Sequence, residues 1–369
     1  MEKQRICIVG DGLSGLTSAI ALNSLPNIEV HLLSKKGVKK KDKRTTAISQ
    51  SNFNFLKKNI KNLNNKLFWP SKNIELFYES KRKKINFLNL TEEKNNLMYV
   101  FENDKIKSIL LKKIKKDKIK TFYRDVKDLT ELKKYELIIL CLGGYSKIYN
   151  KINKGNSIEK DYREVAVTGF VKHKVKNLNT SQSFLKEGPF AILPFSKNSF
   201  SFVWSLNKSF YNFNSKNIIN LIKNKILDIL NTKKKIKITN IQSYPITLRL
   251  VRKYYDKNTL ILGEGLHTVH PVAGQGFNLV IRDIKKLKEI LKYYSNLGIS
   301  FKNSYALNDF YNQRKPENMI MGLGIDAAHS FFKKNKYLDP FKEIFLKNVN
   351  KNNIIKKISK IISNQGLSL

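Results

Sequence analysis

The sequence predicts an α/β chain in which a parallel sheet with glycine-rich loops is interleaved with a mixed β-sheet and followed by a helical C-terminal region. Three observations predict it. A strand, a glycine turn and a helix open the chain. A second strand, glycine loop and helix start recur at Ile261–Asp283. Between them, strand-like alternation returns twice.

Taken in order, Arg5–Val9 is a short β-rich run, and Leu16, Ala19, Ile20 and Leu22 follow at helical spacing. Ile28–Leu33 is the next strand, so the segment reads as a βαβ unit. Its turn is Gly10-Asp11-Gly12-Leu13-Ser14-Gly15. In a GxGxxG turn at a strand–helix junction, the first glycine makes the tight bend. The second lets a pyrophosphate approach, and the third packs helix on strand. Leu13 and Ser14 complete the anion-facing loop at the helix start. Dinucleotide binding is expected. The ribose-binding acid expected at the end of the second strand is absent, because the register Val30, Leu32, Ser34 puts Ser34 there. A hydroxyl can make one hydrogen bond, without the charge assistance that roughly doubles its strength.

Asp42–Ser49 leads into a helix carrying Phe53 and Leu56, and Leu67–Tyr78 and Lys84–Leu90 alternate as strands. Asn96–Glu102 precedes a helix over Ile106–Ile114. Tyr135–Leu142 is continuously apolar, as a parallel strand covered on both faces must be. Val165–Val175 and Phe190–Leu206 return to strands, Ile218–Leu230 is an amphipathic helix, and helices run from Tyr305 onward. The stretch Phe341–Ile362 pairs apolar positions with many lysines, which fits either packing on the cofactor-binding part or a basic surface helix.

The second glycine loop is the most informative segment. Leu262 ends an apolar run, Gly263 and Gly265 loosen the backbone, and Gly274 and Gly276 let main-chain N–H groups approach a ligand before a helix from about Phe277. Glu264 stands where a carboxylate can accept hydroxyl donors. Gln275 and Asn278 complete the loop, and His267 is expected to hydrogen-bond locally.

This segment, with its continuation Ala273-Gly274-Gln275-Gly276-Phe277-Asn278-Leu279 and Arg282-Asp283, resembles the second flavin motif of class A FAD-dependent monooxygenases. It is most similar to the ubiquinone-biosynthesis hydroxylases. Asp42-Lys43-Arg44 before Ala47-Ile48-Ser49, Gly188–Pro194, Val203-Trp204 and Tyr244-Pro245 resemble further segments of that family. The resemblance implies a Rossmann-like FAD-binding domain interleaved with a mixed β-sheet substrate domain and a C-terminal helical region. The implied division is FAD-binding segments at 1–66, 96–165 and 255–300, substrate-sheet segments at 67–95 and 166–254, and C-terminal helices at 301–369. Arg44 becomes a candidate contact to flavin or its phosphates. The implied reaction is reduction of FAD by NAD(P)H as a transient donor, then transfer of one oxygen atom from O2 to a polyprenylated phenol through a flavin C4a-hydroperoxide. No general base is readable. Three departures stand out: Ser34, Glu264 and Gly143 each occupy a position where the family has aspartate. They predict weaker FAD retention and less efficient reduction.

Composition bounds the alternatives. With 369 residues and 41% hydrophobic content the chain can bury a large core. A formal charge of +41 suggests nucleic acid, but only nine of the seventy cations are arginine, the preferred reader of phosphates and bases. Lysines spread along the chain, with clusters at Lys35–Lys43 and Lys233–Lys237, fit a solvated surface or a face resting on anionic lipid. Cys7 and Cys141 lie in apolar runs without metal-ligand spacing, which fits two buried thiols and a reducing cytoplasm. No apolar run approaches the ~18 residues of a spanning helix, so a cytoplasmic protein, peripheral on the inner membrane face and partnered by a quinone-biosynthesis complex, is compatible. HExxH, Walker A and Ser-His-Asp patterns are absent, and no metal is expected. Two other readings stay open: a flavin-binding accessory protein of the same pathway with weak turnover, and a basic nucleic-acid-binding protein.

Overall fold

The computed structural model describes residues 3–35, 41–60, 63–80, 84–333 and 338–367; half of the lysines in the cluster at 35–43 therefore lie outside the described residues. Three sheets carry the fold. The first has six strands in the order Tyr255–Asp256, Thr259–Ile261, Leu137–Leu140, Gln4–Val9, Ile28–Ser34 and Lys120–Tyr123. All neighbours are parallel except the first pair. Its central residues Ile6, Cys7, Ile8, Leu137, Ile139 and Leu140 are wholly buried. Helices cover both faces, so these strands are apolar without alternation.

This order decides where a ligand can sit. Thr259–Ile261, Leu137–Leu140 and Gln4–Val9 are adjacent and parallel, so their C-terminal ends lie side by side. The loops at Gly10–Gly15, Gly143–Gly144 and Gly263–Gly265 all leave from that edge, the usual binding edge of an open α/β sheet.

The second sheet has eight strands, ordered His267–Thr268, Lys237–Val251, Ser157–Lys172, Ser199–Asn207, Gly188–Ser196, Thr180–Leu185, Asn73–Glu79 and Lys84–Thr91. It is mixed: Thr180–Leu185 pairs parallel with Asn73–Glu79 and antiparallel with Gly188–Ser196. Trp204, Phe190, Phe200 and Phe202 form its core against the helix Ile218–Ile229. A small third sheet joins Thr45–Ser49, Met98–Glu102 and Trp69–Ser71, bridging the other two.

Several strands differ from the sequence expectation, among them Lys237–Val251 and Lys120–Tyr123, which were not expected. Thr180–Leu185 was not predicted, because Thr180, Ser181, Gln182 and Ser183 hide any apolar pattern. The strand expected at Val165–Val175 runs from Ser157 to Lys172, with a register irregularity between Asp161 and Glu164 where Arg163 adopts φ 53°. The helix expected from Phe277 begins at Gly276 and reaches Asn296.

The C-terminal region comprises the helices Tyr305–Phe332, Asp339–Val349 and Asn353–Gln365. Leu346 and Val349 pack against Phe87 and Leu88 of the eight-stranded sheet. The last helix buries none of its residues, yet it is fastened at its end: Arg282 donates to the carbonyls of Ile362 and Ser363 at 3.3 and 3.2 Å. No helix among the described residues is long and apolar enough to cross a membrane. Cys7 and Cys141 are free and buried, and burial pushes each thiol up to about 12, leaving both unreactive at neutral pH.

Candidate functional site

A cavity of about 650 Å³ opens where the glycine loops face the eight-stranded sheet. The first loop contributes Gly12, Leu13 and Ser14 to its lining, and the second contributes Glu264 and the run Gly274, Gln275, Gly276, Phe277 and Asn278. Arg44 and Gly143 also line it. Residues 266 positions apart are thereby brought to one site. Gly10, Gly15 and Ser34 are not in the lining. Ser34 is 2% exposed at the end of its strand, and its carbonyl accepts the Arg124 N–H at 3.0 Å. The expected ribose contact from Ser34 is therefore outside this cavity.

The glycines separate into two kinds. A Cβ on Gly10, where φ is +113°, would lie 2.2 Å from the Cys141 carbonyl oxygen, and one on Gly15 would lie 1.9 Å from that of Gly10. Those two are required by the packing of strand, turn and helix. A Cβ on Gly12 or Gly276 would meet nothing within 4 Å. Both open onto the cavity, each beside the first turn of a helix, Leu13–Asn23 and Gly276–Asn296. The first four N–H groups of a helix lack partners within it, and the dipole there favours anions. An open cradle of this kind at two helix starts fits a ligand with a pyrophosphate and a second electron-rich end.

Other predicted residues are already engaged. Arg44 donates from Nε and Nη2 to Asp42 at 2.7 and 2.8 Å and lies 5.0 Å from the centre of the Tyr244 ring. The bond to Asp42 holds its pKa above the usual arginine value. Asn278 accepts the N–H of Ser49 at 2.9 Å and that of the Asn52 amide at 2.7 Å, and donates to the carbonyls of Ala47 and Gly274, both at 3.1 Å. It therefore shapes the loop. Trp204 is fully buried in the core and does not line the cavity; its neighbour Val203 does. Glu264 is exposed at the rim.

Two buried ionic clusters support the second loop. His267 Nε2 lies 2.6 Å from Asp283 Oδ2, and Arg314 Nε donates to Asp283 Oδ1 at 2.7 Å. Asn318 donates to the same oxygen at 3.0 Å. Burial would raise the Asp283 pKa, but Arg314 and His267 outweigh it and hold the carboxyl below its ordinary range. The cluster ties the loop to the helices Gly276–Asn296 and Tyr305–Phe332.

The second cluster was not legible in the sequence. Glu164 Oε2 lies 3.1 Å from Nε2 of both His270 and His329, while Lys333 reaches Oε1 at 3.1 Å. The two imidazoles stack at 3.9 Å. Among the described residues, Glu164, His270 and His329 are the one group whose ligand atoms could share an ion. The hydrogen bonding argues for a proton instead. Val272 N–H donates to His270 Nδ1 at 3.1 Å, so the neutral ring carries its proton on Nε2 and donates to Glu164. A metal-bound histidine would need the opposite tautomer.

These groups give stability a sign against pH. Burial depresses the His270 pKa, so between its folded value and the unfolded value of about 6.5 the unfolded chain binds the extra proton. Stability therefore falls as pH drops below about 6.5. Burial opposes ionisation of Glu164, but the two histidines and Lys333 prevail and lower its pKa. Its contribution is present above about 4.3 and disappears as pH falls through the folded value. The thermal midpoint is expected to decline from neutral pH toward pH of about 4 as His270 takes up its proton, and further below about pH 4 as Glu164 is protonated; Glu164→Gln is expected to make the limb below about pH 4 shallower. An unchanged acid limb in that variant would show that Glu164 carries none of it.

Comparison with known proteins follows the same lines. The family described as squalene epoxidase matches residues 202–353. The ubiquinone hydroxylase UbiL of Rhodospirillum rubrum is 29% identical over 176 residues, covering 46% of this chain and 41% of that protein. The mitochondrial ubiquinone biosynthesis monooxygenase COQ6 of Dictyostelium discoideum is 23% identical over 89% of this chain and 84% of its own length. The 3-demethoxyubiquinol 3-hydroxylase of Escherichia coli is 28% identical over 42% of this chain and 40% of its own. The chain thus spans about two fifths of the two bacterial relatives and most of the third. Among solved structures, p-nitrophenol 4-monooxygenase PnpA from Pseudomonas putida superposes with a TM-score of 0.79 at 12% identity over the whole of both chains. HpxO of Klebsiella pneumoniae, complexed with FAD and uric acid, gives 0.72 at 14% identity over 98% of this chain and 97% of that one. The chain has the fold of the FAD-dependent monooxygenases and is related in sequence to the hydroxylases of ubiquinone biosynthesis.

Proposed function

We propose that the chain is an FAD-dependent aromatic hydroxylase that uses NAD(P)H and O2 on a polyprenylated phenol of ubiquinone biosynthesis. The observation that carries this reading is the pair Gly12 and Gly276, open toward one cavity from two helix starts far apart in the chain. Bound FAD would supply the redox and oxygen-activating chemistry.

The chain's own residues have three tasks. Main-chain N–H groups at Gly12, Leu13 and Ser14 would hold the pyrophosphate, with Arg44 as a neighbouring cation and Glu264 as an acceptor for hydroxyls at the rim. The run Gly274–Phe277 presents N–H groups and a helix dipole that would stabilise negative charge on the bound cofactor's ring. The sheet side of the cavity, with Ile74, Leu76, Leu90, Phe184, Leu193 and Val203 in its lining, takes an apolar substrate and keeps water from the reacting centre.

The last helix supports a peripheral position on an anionic membrane. It contributes Lys360, Ser363 and Asn364 to the cavity wall while exposing Ile354, Ile358 and Ile361. Phe341, Ile344 and Phe345 of the preceding helix are exposed as well. Apolar side chains flanked by lysines suit an interface of acidic lipid, from which a polyprenyl tail could reach the cavity. A quinone-biosynthesis complex is the corresponding protein setting.

The test is turnover. Purified protein given NADH or NADPH, O2 and a prenylphenol, with and without anionic vesicles, is expected to add one hydroxyl to the ring, read by mass spectrometry. Flavin bound without any ring hydroxylation would favour the accessory reading, for which Gly143 speaks because it lines the cavity without a carboxylate.

A further inference from the structure

The floor of the cavity is one face of the eight-stranded sheet, and its residues fall into rows across the strands. Leu76, Gln182, Ala191 and Val203 are successive partners in register and all line the cavity. Thr180 pairs with Ile74 in the row on one side, and Phe184 with Pro189 in the row on the other. Gln182 is thus an amide in the middle of a mostly apolar surface that also carries the hydroxyls of Thr180 and Ser205. It is 9% exposed, and its side chain has no hydrogen-bond partner among the described residues. Thr45 pairs with Ser201, Asn179 with Glu75, and Asn96 with Tyr99, while the hydroxyls of Thr180 and Ser183 on the same strand are buried without a partner.

An amide that opens into a largely apolar cavity without a protein partner is free to pair with a ligand there. A primary amide offers both an N–H donor and a carbonyl acceptor, so it can pair with a neutral phenol in either sense. It carries no charge. A carboxylate on the ring would meet no cation on this floor, since Arg44 is turned to Asp42 and Lys360 reaches the Thr91 carbonyl.

Resting on the hydroxylase reading above, we propose that Gln182 is a specificity-determining residue that hydrogen-bonds an oxygen substituent of the substrate ring, and that the substrate class is an uncharged phenol or ring ether without a carboxylate. The amide fixes which edge of the ring faces the reacting centre. The apolar rows around it accept the remainder of the ring and the start of its hydrocarbon chain. A site that pairs a substrate oxygen discriminates strongly against the analogue lacking it, because its own polar group is then left unpaired.

Calorimetric titration of the full chain, with and without added FAD, tests this with three probes: a short prenylphenol, the matching prenylbenzene, and 4-hydroxybenzoate. The wild type is expected to bind the phenol about tenfold tighter than the hydroxyl-free analogue, the size of one neutral hydrogen bond, and the benzoate most weakly. Gln182→Leu keeps the side-chain volume and removes the unpaired amide, so it should melt no lower than wild type. It is expected to lose the tenfold preference while binding prenylbenzene unchanged or better. The proposal is overturned if Gln182→Leu keeps the preference, if it weakens both probes equally, or if the wild type binds no phenol. Failure of the flavin reading has a different signature: no heat on adding FAD.

Discussion

Gly12→Val should strip the protein of flavin without unfolding it. Gly12 has φ −69° and ψ 178°, an extended conformation that valine adopts freely, and a Cβ there meets nothing within 4 Å. The space it fills is where a pyrophosphate would approach the start of the helix Leu13–Asn23. Two lost charge-assisted hydrogen bonds of about 1.5–3 kcal/mol each weaken binding at least about a hundredfold. The fold loses only the capping preference of glycine over an apolar residue, at most about 1 kcal/mol. Gly10→Val makes the contrasting control: its Cβ would collide with the Cys141 carbonyl oxygen, so it should lose folding and flavin together. Equal flavin content in wild type and Gly12→Val would show that no ligand approaches that turn.

The largest effect on stability is expected from Asp283→Asn. Asp283 is fully buried and receives Arg314, His267 and Asn318. The variant leaves the buried Arg314, 3% exposed, facing a neutral amide. Breaking a buried pair on one side costs about 3–5 kcal/mol, a large share of what holds a domain together. The midpoint of urea unfolding should fall accordingly. Flavin affinity should fall with it, since His267 ties the second loop to this carboxylate. A variant that unfolds at the wild-type midpoint would mean that Arg314 and Glu317, which also pair, suffice alone.

The parts of this architecture that rest on local patterns were legible in the sequence. Ile6–Val9 and Leu137–Leu140 are apolar without interruption because both faces of their sheet are covered. The turn Gly10–Gly15 has a spacing that a strand, bend and helix impose. What escaped depends on pairing across the chain. Thr180–Leu185 is an interior strand whose polar residues sit between two partners, so it lacks the alternation of a half-exposed one. Glu164, His270 and His329 lie on a strand, a loop and a helix that meet only after folding, and no spacing joins them. The last helix shows amphipathic periodicity, but its place at the cavity wall is set by Arg282, 80 residues away. Ser34 stands at the predicted strand end, yet its side chain turns into the fold, on the same buried face as Val30 and Leu32.

The central claim is that two helix starts grip one flavin adenine dinucleotide, and the direct measurement is the visible absorption of gently purified protein before and after addition of FAD at micromolar concentration. The account predicts a yellow protein carrying, or taking up, one FAD per chain, and a colourless Gly12→Val that folds with it. A wild-type chain that stays colourless and binds no added FAD would contradict it.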